Sequence, residues 1–170
     1  DSGEKRVMSE QSAYILTGML ESVASNGTAS KLSALGISIA AKTGTAALSE
    51  SETGINGNRD IWLAAYTPAL TLSVWMGFDR TDSTHYMPES ASGSNQPAKL
   101  VLNIMKSEAA AKYAGGSFKR PNGLREVMID GWALNNLHTL MLAGEDTPAD
   151  MLVREVFTLD KLPSRVSTLF

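Results

Sequence analysis

Residues 60–78 constrain the fold most. Asp60 to Tyr66 is an apolar, aromatic run, Thr67-Pro68-Ala69 is a short turn, and Leu70 to Phe78 alternates strictly. Leu70, Leu72, Val74, Met76 and Phe78 face one way; Thr71, Ser73, Trp75 and Gly77 face the other. A period of two is that of a strand with one buried face. So short a connection leaves no room for a crossover, so the two strands are antiparallel neighbours. Upstream, Ile37, Ile39 and Ala41 alternate with Ser38, Ala40 and Lys42, which predicts another strand over 37–45. The polar, Gly/Asn-rich stretch 46–59 reads as a loop between strands. The middle of the chain is therefore a three-stranded antiparallel meander.

Helices flank it. Ser9 is a candidate N-cap, Ala13, Leu16, Leu20 and Val23 recur at helical spacing, and Asn26-Gly27 is a stop signal, which predicts a helix over about 10–25. Leu100, Val101, Ile104, Met105 and Ala109 predict a second over roughly 97–113, closed by Gly115-Gly116. Beyond it, short apolar runs (Val127 to Ile129; Leu152 to Phe157) alternate with loops. Helix, strands, helix and tail make an α+β class, an antiparallel sheet flanked by helices. Two helices cover one sheet face. The other carries Ile61 or Trp62, and Trp75, and is expected to need cover from a further chain segment.

Composition removes several classes of function. At 170 residues the chain holds one domain, with a core burying roughly 70% of its unfolded surface. A net charge of −3 argues against nucleic acid as a partner. Zero cysteines exclude disulfides, thiol catalysis and thiolate metal sites. No apolar run approaches the span of a bilayer, and the charged first residues lack the apolar core of a signal peptide. With no initiator Met, the chain is expected to be a piece of something longer.

Chemistry concentrates in Lys42-Thr43-Gly44-Thr45. A cation, two hydroxyls and a glycine at the end of a strand suit an anionic group, and an extended peptide could add at such an edge. The bland alternative is a solvated lysine beside a turn. Gly36 to Thr43 also approaches the phosphate-loop pattern, but Ala41 replaces its second glycine and a strand, not a helix, follows Lys42. His85 and His138, the only histidines, stand far apart without acidic clustering at ligand spacing, so neither a metal site nor a serine triad is expected. Asn26-Gly27-Thr28 matches a glycosylation sequon but reads better as a helix end. Trp62, Tyr66 and Trp75 read as core or sheet-face residues, and Glu50, Glu52 and Asp60 as solvated loop charges.

Several segments, in one order, resemble the C-terminal half of the transpeptidase domain of class A penicillin-binding proteins. Val7-Met8-Ser9 with Ala13-Tyr14-Ile15-Leu16 and Met19-Leu20 is similar to a helix of that family. Asn26 to Ala29 is similar to its G-T-A turn, and Ile39 to Thr45 to its K-T-G strand. Asp60 to Pro68 resembles D-A-W-F-x-G-Y-T-P, Val74 to Asp79 resembles V-W-V-G-Y-D, and Pro121-Asn122-Gly123 with Val156-Phe157 and Pro163 fits the tail. The resemblance implies a β-lactamase/transpeptidase-like fold of which only the C-terminal part is present. Residues 1–114 would be half of the domain and residues 115–170 a tail packing on it.

It also implies a serine acyltransferase that cross-links peptidoglycan stem peptides, is acylated by β-lactams, and uses S-x-x-K, S-x-N and K-T-G without metal or cofactor. Carried onto this chain, Lys42 would hold the S-x-N serine and add positive potential. Thr43 and Thr45 would bind the terminal carboxylate across Gly44, and the Thr45 backbone N–H would be one oxyanion donor. Alternation puts Lys42 and Thr43 on opposite strand faces, so how both reach one ligand is open. No S-x-N occurs, and Ser2-Gly3-Glu4-Lys5, which spells S-x-x-K, sits in a charged terminus rather than at the start of a buried helix. Leu63 and Ala65 replace the family's usual Phe and Gly, and the 46–59 loop is longer and more polar.

The expected reading is half of a site. An N-terminal segment of the same parent protein would supply S-x-x-K and S-x-N, and this chain alone would be inactive. By resemblance the location is the extracytoplasmic face of the bacterial membrane, tethered by an N-terminal anchor not in this sequence. The alternative is a non-catalytic peptide- or β-lactam-binding module of the same fold.

Overall fold

The computed structural model describes residues 3, 5–49 and 54–170. Ser2, Glu4, Glu50 and Glu52 therefore lie outside the described residues. Helix α1 runs Glu10–Ser25. The Ser12 N–H donates to Ser9 Oγ at 3.0 Å, the capping bond expected of a serine ahead of the first turn. The strands that follow are β1 (Ala40–Ala47), β2 (Gly57–Tyr66), β3 (Thr71–Gly77) and the two-residue β4 (Met87–Pro88). Helix α2 spans Gln96–Met105. The chain closes with β5 (Leu124–Asp130), α3 (Gly131–Leu137) and β6 (Leu152–Thr158).

Residues 16–119 form one compact unit. Its sheet has the order β1-β2-β3, all antiparallel, with β4 pairing the start of β2. The register sets Ala41 opposite Ala65, Thr43 opposite Leu63, and Leu63 opposite Val74. These residues share one face, and Leu63 and Ala65 are fully buried there. Against it pack Ala98, Val101 and Met105 of α2, Ala24 of α1, and Ala29 and Leu32 from a short 3₁₀ segment. The opposite face carries Lys42, Gly44, Trp62, Ala64 and Trp75. Trp62 and Trp75 are 46% and 41% exposed there, their rings 6.3 Å apart. Ile61 is buried on the core face, which settles that choice in favour of Trp62.

Three boundaries differ from the sequence pattern. The alternation from Ile37 suggests a strand, but β1 starts at Ala40. Its partner Tyr66 is the last residue of β2, and Thr67 turns back to bond Leu70. Ile39 is instead buried in the core, and Gly36 takes a left-handed φ of 63° just before. The 46–59 stretch is not all loop, because the ladder continues to Ala47 and resumes at Gly57. The second helix ends at Met105 rather than near 113. The Ser107 hydroxyl donates to the Ile104 carbonyl at 2.6 Å, taking an acceptor that the next helical turn would use. Asp60 is no loop charge either. It lies in β2, accepts from the Trp75 indole at 2.9 Å and pairs with Arg59 at 2.7 Å, and these donors hold its carboxyl below the usual carboxylate range.

The other unit comprises the leading residues through Ile15 together with Arg120–Phe170. Here β5 and β6 pair antiparallel, and Leu142 bridges both Ile129 and Val166. Asp130, fully buried, caps α3 through the Ala133 N–H at 2.9 Å and accepts from the Ser167 hydroxyl. Gln11 Nε2 donates to the Asn122 carbonyl at 2.8 Å. Among the described residues no helix is long and apolar enough to cross a membrane.

Candidate functional site

The site expected at Lys42 to Thr45 falls in the middle of β1, and among the described residues β1 is an edge strand of its sheet. In an antiparallel ladder, alternate residues turn their N–H and C=O groups toward the neighbouring strand and away from it. Leu48 N–H bonds the Gly57 carbonyl, so even-numbered residues of β1 address β2. The ladder's irregularity, where Ala46 meets Asp60 but Ala47 meets Asn58, inserts its extra residue, Arg59, on β2 and leaves this alternation intact in β1. The backbone groups of Thr43 and Thr45 therefore point to the free edge.

Lys42 and Thr43 do lie on opposite faces, as alternation requires. The Lys42 side chain nevertheless curls back, and Nζ donates to the Thr43 carbonyl at 2.8 Å. That carbonyl is on the free edge. The ammonium of one face thus reaches the same edge that carries the Thr43 and Thr45 amides. Gly44 stands opposite Trp62, and a Cβ there would lie 3.3 Å from Trp62 Cβ. A larger residue would crowd that cross-strand pair. Physically the strand offers a cation, hydroxyls and outward-facing amides along one unpaired edge, a combination suited to an anion on an extended chain.

Two contributions escaped the sequence. The Thr28 hydroxyl lies 2.7 Å from that of Thr43. Gly93 lies against the same pair of strands. A Cβ on it would come 3.1 Å from Thr43 Cβ, 3.2 Å from the Gly44 carbonyl oxygen, and closer still to the Trp62 carbonyl oxygen. Neither residue shares a local pattern with the K-T-G run, so only the three-dimensional fold brings them in. Nearby, Asn58 Nδ2 donates to the Ala91 carbonyl at 2.9 Å and fixes the segment that leads to Gly93.

The histidines are elsewhere. His85 Nδ1 sits 2.9 Å from Asp82 in an exposed loop, where the Thr84 and His85 donors hold the Asp82 carboxyl far below its ordinary value. His138 ends α3 in a left-handed conformation, φ 49°. Among the described residues, no group of three or more histidines or carboxylates gathers as a metal site.

Comparison with known proteins bears on the family. Residues 2–106 match the family model described as the penicillin binding protein transpeptidase domain. The chain is similar to penicillin-binding protein 1F of Bacillus subtilis strain 168, 39% identical over 124 residues, covering 72% of this chain and 16% of that protein. It is 30% identical over 172 residues to penicillin-binding protein 1A/1B of the same organism, covering 98% of this chain and 18% of that one. The chain thus spans less than one fifth of the length of either relative. In fold it resembles the structure of the penicillin-binding protein PonA1 from Mycobacterium tuberculosis, with a TM-score of 0.51 and 24% identity over 71% of this chain and 30% of that one. A family match over more than half of the chain, on an α+β fold like that of a solved member, places the protein in the penicillin-binding protein transpeptidase domain family.

Proposed function

We propose that this chain supplies the carboxylate-binding edge of a serine D,D-transpeptidase of the class A type, which cross-links peptidoglycan stem peptides outside the cytoplasmic membrane. Residues 1–114 are on this reading the C-terminal half of the transpeptidase domain, and residues 115–170 its tail. The observation that supports it best is the free edge of β1, where the Thr43 and Thr45 amides point outward and the Lys42 ammonium folds back to 2.8 Å from the Thr43 carbonyl.

The chemistry follows from those groups. A stem peptide ending in D-Ala-D-Ala lies along the edge as an extended strand. Its terminal carboxylate takes hydrogen bonds from the Thr43 and Thr45 hydroxyls in the field of Lys42. The Thr45 N–H donates to the carbonyl oxygen as it becomes an oxyanion. The nucleophilic serine, its activating lysine and the S-x-N serine come from a segment of the parent protein outside this sequence. The serine oxygen bonds the penultimate D-Ala carbonyl carbon, and the terminal D-Ala leaves as an amine carrying the transferred proton. The amine of a neighbouring stem then displaces the serine and completes the cross-link. A β-lactam enters the same place because it too presents a carboxylate beside a strained amide, and its ring opening leaves the serine acylated.

Labelling of the complete parent protein with a fluorescent penicillin tests this reading. Thr45→Val and Lys42→Ala are each expected to lower the labelling rate by roughly tenfold or more, the scale of a lost charge-assisted bond. Unchanged labelling in both would remove the edge from the site. Reversible binding of penicillin without an adduct would favour a non-catalytic module.

A further inference from the structure

The Thr28 and Thr43 hydroxyl oxygens lie 2.7 Å apart, although fifteen residues separate them in sequence. The approach is built in. Thr28 directly precedes Ala29, and Ala29 and Leu32 are fully buried in the core that also holds Ala41. Thr28 is solvent-exposed and Thr43 half-buried, so the pair is open to a ligand. Gly93 lies close by, since a Cβ added to it would come 3.1 Å from Thr43 Cβ.

A hydroxyl carries one proton and two acceptor sites, so this pair has two arrangements. If Thr43 donates to Thr28, it has no proton left for a ligand. If Thr28 donates to Thr43, the Thr43 proton is free for an acceptor at the strand edge. An anion at that edge selects the second arrangement. A hydroxyl that already accepts a hydrogen bond is also the better donor.

We propose that Thr28 is a positioning residue for carboxylate recognition: its hydroxyl donates to Thr43 Oγ1 and thereby directs the Thr43 proton at the carboxylate of a stem peptide or β-lactam. This rests on the reading of the Lys42 to Thr45 edge as a carboxylate site. Thr28 touches no reacting atom. Its effect therefore belongs to binding and not to the acylation step.

The test uses benzylpenicillin on the complete parent protein, with acylation time courses resolved into a half-saturating concentration and a limiting rate. Thr28→Val keeps the shape and removes the hydroxyl. It is expected to raise the half-saturating concentration about five- to tenfold, while the limiting rate stays within about twofold. Thr28→Ser is expected to restore the wild-type value. Thr43→Val and the double variant Thr28→Val with Thr43→Val are expected to match each other, because Thr28 acts only through Thr43. No change in Thr28→Val overturns the proposal, as does a loss that serine does not restore, a loss confined to the limiting rate, or a double variant worse than Thr43→Val. Wild-type behaviour of Thr43→Val would overturn the underlying carboxylate reading instead, whatever Thr28 does.

Discussion

Gly93 lies so close to the Trp62 backbone that an added Cβ would overlap the Trp62 carbonyl oxygen, and it would also stand 3.1 Å from Thr43 Cβ. One glycine outside the K-T-G run therefore bears on two strands of the sheet and on the residue at the centre of the proposed site. The obstruction is backbone, which cannot rotate aside. Gly93→Ala is expected to cost about 1–3 kcal/mol, the range for overpacking a close contact, and to slow penicillin labelling of the complete protein. Urea denaturation and labelling kinetics check the two effects. An alanine variant with unchanged midpoint and labelling would show that the segment from Ala91 to Asn95 can move off the strand freely.

The Trp75 indole donates to Asp60 at 2.9 Å, and Arg59 pairs with the same carboxylate. Trp75→Phe keeps most of the ring and removes the donor. Because Arg59 and solvent still serve Asp60, the expected loss is only about 0.5–1.5 kcal/mol by denaturant titration. A larger loss would mean that the paired rings of Trp62 and Trp75 contribute more than the hydrogen bond does.

Acid should weaken the unit that contains residues 120–170. The Ser167 hydroxyl, then the Ala133 and Trp132 N–H groups, hold the Asp130 carboxyl below its ordinary value of 3.8. A carboxyl whose value is lower when folded than when unfolded stabilises the fold at pH above the unfolded value. That stabilisation fades as pH falls through the folded one. The melting temperature is therefore expected to hold near neutrality and to fall as pH drops below about 4. Asp130→Asn is expected to flatten this dependence and to lower the neutral-pH melting temperature by roughly 4–8 °C, since the α3 cap is weakened. An unaltered acid profile in the variant would assign the transition to other carboxylates.

The edge of β1 is expected to respond to salt. Lys42 is exposed, so its attraction for a carboxylate is screened within a Debye length of about 8 Å at physiological ionic strength. Raising salt should weaken reversible penicillin binding to the parent protein, and Lys42→Gln should remove most of that dependence. An equal salt dependence in the variant would place the responsible charge elsewhere.

Much of this was legible in the residues. The alternation of Leu70 to Phe78 and the short turn at Pro68 gave the meander, since period and connection length leave one solution. Ser9 and Asn26-Gly27 marked the ends of α1 because caps and stops are local chemistry. The strand from Ile37 failed because pairing depends on where the partner ends, and β2 ends at Tyr66. The long second helix failed at Ser107, whose hydroxyl competes for a backbone carbonyl. At the site, the K-T-G run was visible, but its reach was not. Alternation alone placed Lys42 and Thr43 apart, and only the flexible lysine stem, curling around the free edge, brings the ammonium back beside Thr43. The hydroxyl of Thr28 and the backbone of Gly93 arrive through the tertiary fold, with no periodicity to announce them.

The most direct test is intact-mass and peptide-mapping mass spectrometry of the complete parent protein after reaction with benzylpenicillin. The expected result is a single adduct on a serine upstream of Asp1, forming roughly tenfold or more slowly in Thr45→Val. An adduct on a serine between Ser2 and Ser167, or penicillin turnover insensitive to every change from Lys42 to Thr45, would contradict the assignment of this strand as the carboxylate-binding edge of an acyl-transfer site.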